Sequence, residues 1–463
     1  MHKPLLLISS LFILFFFSCK KDSFITSSDA SVNFSADTIY FDTVFVSTGS
    51  ITQSVKIINT NNQKLLLTDV KLMGGSNSVF KINIDGNSTT QENNITLEPN
   101  DSIYIFISVL INVNNTSLAF ILQDSIQVSF NGNQRYIQLQ AYGQNAHFLN
   151  NIEISANTSW PNDLPYVILG SLQIDANAQL NIQKGCKIYF HANAPLIVNG
   201  TLNVQGADTA RVYFLSDRLD YPYSTYPGSW PGIYFMQSSQ NNVLQFAVIE
   251  NAYEGVIAEN LSTNNNPKLT LNDCIINNIY DAGIIGAQTN ITAQNCLVSN
   301  CGRNIVLGYG GLYAFTNCTV VSYTNNYISN ASPVLNISNA DSTGTQTANM
   351  NASFINCIFW GGGDTVTNEV VAFQQGVSTF NINFSNCLWK VSNAPANVST
   401  SNVLNVDPMF DSVNNQSMYY DFHLKTGSPA IGSGVYTGIP YDLDGNPRSV
   451  GNVTDIGCYE KQP

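Results

Sequence analysis

The 463 residues include 18 Lys and Arg against 31 Asp and Glu, a net charge of −13, and only 11% of the chain is charged. So acidic a chain excludes nucleic acid or an anionic lipid surface as its main partner, because both demand a basic patch. With 31 Gly, 22 Tyr and 25 Phe the composition favours strands and turns over helices, and the length is too great for one small core.

Residues 1–18 open with His2-Lys3, continue through an apolar run over 5–17 and end at Ser18, just before Cys19. A run this short reads as a secretion signal and not as an ordinary spanning helix. Phe16-Phe17-Ser18-Cys19 resembles the lipobox of bacterial lipoproteins, with a bulky Phe where Leu is commoner. The resemblance implies cleavage before Cys19 and acylation of that cysteine. Cys19-Lys20-Lys21-Asp22 is also similar to the start of Bacteroidota surface lipoproteins, which implies a lipid anchor in the cell outer membrane with the protein facing outward. Residues 19–31, rich in Ser, Thr, Ala and Asp, read as a tether.

From 32 to 146 short alternating runs follow one another at 38–46, 53–58, 65–72, 101–109, 124–130 and 135–141, separated by turn signals such as Phe130-Asn131-Gly132-Asn133. About seven strands in about 110 residues predict an antiparallel β-sandwich. Phe41-Asp42-Thr43-Val44 and Ser54-Val55-Lys56-Ile57-Ile58-Asn59 resemble phrases of the hydin-like immunoglobulin domains, and the resemblance implies a spacer or a binding module. No residues in this region point to chemistry.

A different text begins near Pro165. Strands of three to five residues alternate with turns, and five times a kink recurs: Asp273-Cys274, Asn295-Cys296, Asn317-Cys318, Asn356-Cys357 and Asn386-Cys387. Each has an apolar residue two before the Asn or Asp and another two after the Cys. Strand periodicity on both sides of a repeated kink predicts the coils of a parallel β-solenoid, in which like residues pile on like at a spacing of about 4.8 Å. Asn tolerates the left-handed backbone of the kink and can bond to its copy in the next coil. Cys is small and apolar enough for a narrow interior stack. Thiols stacked in parallel are poorly directed for the disulfide torsion, so these five are expected to be reduced. Insertions around 328–349 and 361–377 are expected to leave the turns on one flank.

Residues 165–394 resemble the right-handed parallel β-helix proteins of Bacteroidota with the pectin-lyase-like architecture. Residues 395–463 resemble the segment called the choice-of-anchor Q domain. That second resemblance rests on Asp407-Pro408-Met409-Phe410, Asp421-Phe422-His423-Leu424, Ser428-Pro429-Ala430-Ile431, Asp442-Leu443-Asp444-Gly445-Asn446-Pro447-Arg448 and Asp455-Ile456-Gly457-Cys458-Tyr459-Glu460, with Cys458 where Ala is usual. A compact polar segment of this kind suits a cap on the last coil, which would otherwise expose a pairing edge. The whole chain is therefore expected to be all-β: an N-terminal β-sandwich, a right-handed parallel β-helix and a C-terminal cap.

Three groups of residues could carry function. Counting from Asn251, Asn278 and Asn300 puts Glu254, Asp281 and Arg303 at one offset in successive coils. They form either a catalytic column on one flank or a set of structural ion pairs, the reading preferred here. In the loop 216–232, Tyr223, Tyr226 and Trp230 either stack on sugar rings as ligand-binding residues or fold down as a lid. Asp442 and Asp444 have calcium-loop spacing but lack the later bidentate Glu. A turn closed by Asp455 and Arg448 is the simpler reading, and calcium is the one cofactor the pattern admits. His191 stands alone and His423 lies in an apolar strand phrase. The favoured function is a binding or structural surface module toward polysaccharide or another envelope component, with no catalysis. The alternative is a polysaccharide lyase or another carbohydrate-active enzyme on the β-helix flank. Cys19→Ala should release the protein, unacylated, from the membrane fraction. A variant that still sediments with membranes through its N-terminus contradicts the lipobox.

Overall fold

The structure is a computed structural model that describes residues 23–45, 49–111, 120–448 and 453–462. The signal and Cys19 lie outside the described residues. The chain divides into two compact units, Met1–Asn145 and Ala146–Pro463.

In the first unit the described residues form two five-stranded sheets, as the alternating runs require. One sheet contains Val32–Phe34, Gln53–Asn59, Ser102–Val109, Phe80–Ile84 and Asn87–Ser88 in that spatial order. The other contains Thr38–Phe45, Asn133–Gln144, Phe120–Phe130, Leu65–Leu72 and Gln91–Leu97. All neighbours are antiparallel except Thr38–Phe45 with Asn133–Gln144, which run parallel. Period-two alternation turns Ile103, Ile105, Ile107 and Val109 inward while Tyr104 and Phe106 face out. Asn59, last in its strand phrase, is fully buried; its Nδ2 donates to the carbonyls of Gln63, Leu97 and Glu98 at 2.9, 3.2 and 2.9 Å. It thereby closes the turn that follows its own strand, so this position needs a side-chain amide.

The second unit is a parallel β-helix, whose described strands form a ten-stranded and a seventeen-stranded parallel sheet. It starts before Pro165. His147–Leu149, Ile152–Ile154 and Thr158–Trp160 already pair in parallel with strands of the next coil, so the solenoid begins at His147. The first coil lacks the Asn-Cys kink, and only its alternating Ile152, Ile154 and Trp160 announce it.

Register explains the repeat. Ile249, Ile276, Val298, Val320, Phe359 and Trp389 stand opposite one another through six coils. Leu271, Ala293, Phe315, Phe354 and Phe384 form the facing column. Phe354 stacks on Phe315 at 5.4 Å and on Phe384 at 4.7 Å, so the interior is a continuous pile of like on like. At the kink, Asp273, Asn295, Asn317, Asn356 and Asn386 have φ between 50° and 55°, and the cysteine after each turns into the core as a free, buried thiol. Asn295 donates to Asp273 at 3.0 Å and Asn356 to Asn317 at 2.8 Å, coil to coil.

The C-terminal region does two things. Residues 391–406 close the end of the solenoid: Ser399–Ser401 pairs with Phe380–Ser385, while Val398 and Val403 pack against the interior. From Phe410 onward the chain turns back and lies along the outside of the ten-stranded sheet. There Leu297, Val321, Ile358 and Leu388 point outward, and Phe410, Phe422, Leu424, Leu443, Ile456 and Cys458 bury them. The returning segment is pinned to the kink column. Asn386, Asn356 and Asn295 donate to the carbonyls of Ser433, Val435 and Tyr441, and Asn317 donates to the Thr437 hydroxyl. Arg448 pairs with Glu460 at 3.1 Å, both buried, and not with Asp455 as expected. Asp455 instead accepts from the backbone N–H of Gly432 at 2.7 Å and of Lys461 at 2.6 Å.

Burial raises the buried thiols above the ordinary value of 9.0, to about 11 for Cys186 and about 12 for Cys301 and Cys458, and well above it for Cys274, Cys296, Cys318 and Cys357. Unfolded thiols therefore ionise first, and each contributes stability that is full below pH 9 and lost above it at about 1.4 kcal/mol per pH unit. Urea midpoints should fall steeply from about pH 9 to pH 11. Cys318→Asp, which puts a charge between coils, should cost several kcal/mol at pH 7; an unchanged melting temperature would remove Cys318 from the interior.

Candidate functional site

The three charged residues of the flank do not form one cleft. Glu254 stands opposite Ala282, which stands opposite Arg303, because the turn after Asn278 holds one residue more than its neighbours. Asp281 thus precedes the column and reaches sideways to Arg303, with Nη2 at 2.7 Å from both carboxylate oxygens and Nε at 3.0 Å from Oδ1. Glu254 accepts instead from the Tyr234 hydroxyl at 3.0 Å. Burial, followed by the Glu254 charge, pushes the Tyr234 hydroxyl far above its ordinary value. Two closed pairs replace a base beside an uncommitted cation. An Arg whose fork is filled by a carboxylate is poorly placed to take a proton.

The aromatic loop divides the same way. Trp230 is fully buried, stacked on Phe190 at 4.4 Å, and its Nε1 donates to the Glu250 carbonyl at 2.9 Å. As a sugar platform it is therefore corrected to a core residue. It belongs to the interior cluster together with Ala247 and Ala252, and Trp230 and Ala252 form a parallel bridge between coils. Gly232 makes the dive possible, with φ at 129° and space for a Cβ only 2.0 Å from the Glu254 carbonyl. Tyr226 lies between Tyr223 at 5.2 Å and Tyr327 at 5.0 Å. The Arg218 guanidinium sits 4.1 Å from the Tyr223 ring and is clamped by Asp220 at 2.8 and 2.9 Å. Asn251 and Asn278 fasten the loop through the Ser224 and Thr225 carbonyls. The loop is thus fastened to the flank through these contacts, while Tyr223 stays 43% exposed.

Asp442 and Asp444 are occupied by protein donors. Buried Asp442 accepts from the N–H groups of Asp444, Asn446 and Glu460 at 3.0, 2.8 and 2.9 Å. Asp444 pairs with His423 Nε2 at 3.0 Å, while His423 Nδ1 meets Asp421 at 2.6 Å and the ring stacks on Tyr459 at 3.9 Å. The Asp444 bond, then Asp421, lifts His423 to about 9 against the opposing effect of burial. Among the described residues no cluster of three or more His, Cys, Asp or Glu suits a metal ion. His191 also has a partner, Asp217 at 2.7 Å, which the sequence did not reveal because 26 residues and a loop separate the two.

A concave feature lies elsewhere, on the outer face of the seventeen-stranded sheet. A groove of about 670 Å³ runs over strands from Ala282–Gln294, Arg303–Thr316, Met350–Ile355 and Phe380–Ser385. Asn265 and Pro267 bound one end, and the last coil at Ala396, Asn397, Val398 and Ser399 bounds the other. Two columns of outward side chains form its surface. One contains Asn290, Leu312, Asn351 and Asn381; the other contains Thr292, Ala314, Ser353, Asn383 and Ser399. Its lining includes no Asp, Glu, Lys, Arg or His. The turns at 288–290 and 309–311 are short while the segment at 260–267 is long, and Asn265 and Pro267 from that segment border the groove.

No family model matches the chain, and no curated protein matches it. Among solved structures, a family 123 glycoside hydrolase from Clostridium perfringens aligns with a TM-score of 0.19 and 10% identity, over 28% of this chain and only 30% of that one. The pectate lyase Pel9A aligns at 0.26 with 12% identity, over 68% of this chain and 97% of that one. The catalytic unit of a thermostable GH87 α-1,3-glucanase from Streptomyces thermodiastaticus strain HF3-3 aligns at 0.24 with 10% identity, over 76% and 88%. These alignments are too loose to transfer any residue, and the strand registers define the β-helix by themselves.

The raised His423 value has a measurable consequence. Its contribution is complete below the ordinary value of 6.5 and disappears as pH rises through about 9. With the ring 40% exposed and solvent screening allowed for, His423→Ala should cost about 1–2 kcal/mol at pH 6 and clearly less at pH 10. Equal cost at both pH values would show that the two carboxylates do not hold the charged ring.

Proposed function

We propose that this chain is a cell-envelope protein, tethered by a lipid on Cys19 and facing outward from the outer membrane, whose β-helix binds carbohydrate without turning it over. The groove on the seventeen-stranded sheet carries this reading. It is long and concave, and it is built from amides, hydroxyls and apolar surface, the mixture that matches the hydroxyl rims and C–H faces of sugars. It has no acid, base or charged group with which to cleave a glycosidic bond. The charges on the other flank weigh against the lyase alternative, since Arg303 is committed to Asp281 and Glu254 to Tyr234. The sandwich is a spacer between tether and β-helix in this reading.

A glycan array probed with the chain from residue 20 onward should give specific hits, and a blank array would reduce the protein to a spacer. With calcium present, the same protein should neither form unsaturated products nor release reducing ends from acidic or neutral polysaccharides. If turnover does appear, Arg303→Ala should abolish it, and a variant that keeps full turnover would clear the charged column of any part in the reaction.

A further inference from the structure

Resting on the carbohydrate-binding reading, we propose that the groove takes a linear, uncharged polysaccharide lying along the solenoid axis, with about one sugar unit over each coil. Direction follows from the stacking. The lining crosses successive coils from Asn265 and Pro267 to the final coil, and the strands between present the same outward positions repeatedly. A ligand that matches this repeat must itself repeat along the same line. The coils advance by about 4.8 Å, so the four open coils and the coils that flank them span roughly 20 Å, room for about four to five pyranose units of an extended chain.

Charge narrows the class. The chain as a whole carries −13, yet the groove lining holds no Asp, Glu, Lys, Arg or His, so a carboxylated or sulfated glycan would lie on an acidic protein with no cation to meet it. The available polar atoms suit hydroxyl groups. Asn381 donates to Asn351 Oδ1 at 3.1 Å, and the Asn351 amide nitrogen and Asn381 Oδ1 have no protein partner among the described residues. The ladder therefore presents one donor and one acceptor to the groove. Leu312, half exposed in the same column, offers an apolar patch for a sugar C–H face.

The test uses the chain from residue 20 onward with cello-, manno- and xylo-oligosaccharides of two to six units, and with oligogalacturonates as the anionic arm, measured by titration calorimetry at low and high salt. At least one neutral series should gain affinity with length up to four or five units and then level off, with a Kd that is the same at both salt concentrations. Leu312→Asp and Asn351→Asp should each weaken that binding tenfold or more, and Tyr223→Ala, on the other flank, should leave it unchanged. Circular dichroism and melting temperature confirm that the variants fold, since both side chains lie on the outer face. Neutral binding that both groove variants retain would overturn this site while leaving carbohydrate binding intact. Salt-sensitive binding of oligogalacturonates alone would overturn the uncharged class. Binding of neither series would sink the carbohydrate reading itself, and a dimer in sedimentation that Leu312→Asp dissociates would assign the groove to a second copy of the chain.

Discussion

Everything in the β-helix depends on in-register hydrogen bonding between successive coils. Most of its strands have only two to six residues, too few contacts to stand alone, and gain their stability from the strands above and below, so any residue that breaks register exposes two neighbours as well as itself. The interior columns are the consequence. A Phe at 354 fits because Phe315 and Phe384 occupy the same position in the flanking coils, and the cysteines fit because a thiol is among the few side chains small enough to repeat just inside a left-handed kink. Where the turn after Asn278 takes one extra residue, register is kept in the strands and the displacement falls on Asp281 alone. That local slip is what turns a column of three charges into two separate pairs.

The kink column has a second use. Its amides lie on the outside of the coil, and a ladder of them cannot satisfy every donor coil to coil. The returning C-terminal segment accepts the remainder through the Ser433, Val435 and Tyr441 carbonyls and the Thr437 hydroxyl, while its apolar side chains cover the outward Leu297, Val321, Ile358 and Leu388. Buried Arg448 is tolerable in this setting because Glu460, the Asn295 side chain and the Gly457 carbonyl all accept from it. The strongly charged residues of the C-terminal segment are thus fastenings, and its calcium-like spacing is a turn closed by Asp442.

The ten-stranded sheet is covered in this way and the groove on the seventeen-stranded sheet is not. One outer face carries apolar residues and a segment of the same chain that buries them; the groove carries amides and hydroxyls on a surface open to solvent. In an acidic protein, a concavity lined without charge offers hydrogen bonding and apolar contact to whatever meets it, and both are largely indifferent to salt.

The repeat, the kink, the inward cysteines and the alternating runs of the sandwich were legible in the sequence because each follows from a local period: two along a strand, and one Asn-Cys or Asp-Cys step in each of five coils from Asp273 onward. The first coil is hard to read because its strands are three residues each and leave only Ile152, Ile154 and Trp160 as a periodic signal, and Trp230 is ambiguous because a lone aromatic in a Pro-rich loop looks the same whether it faces water or joins the interior. Partner choice was equally hidden. Arg448 joining Glu460, His423 joining Asp444 and His191 joining Asp217 are decided by how a chain returns on itself, which spacing does not encode. The groove is the plainest case: its Asn, Ser and Thr are ordinary outward strand residues in the sequence. Only the stacking of four coils between a longer turn and the closing coil makes them one surface.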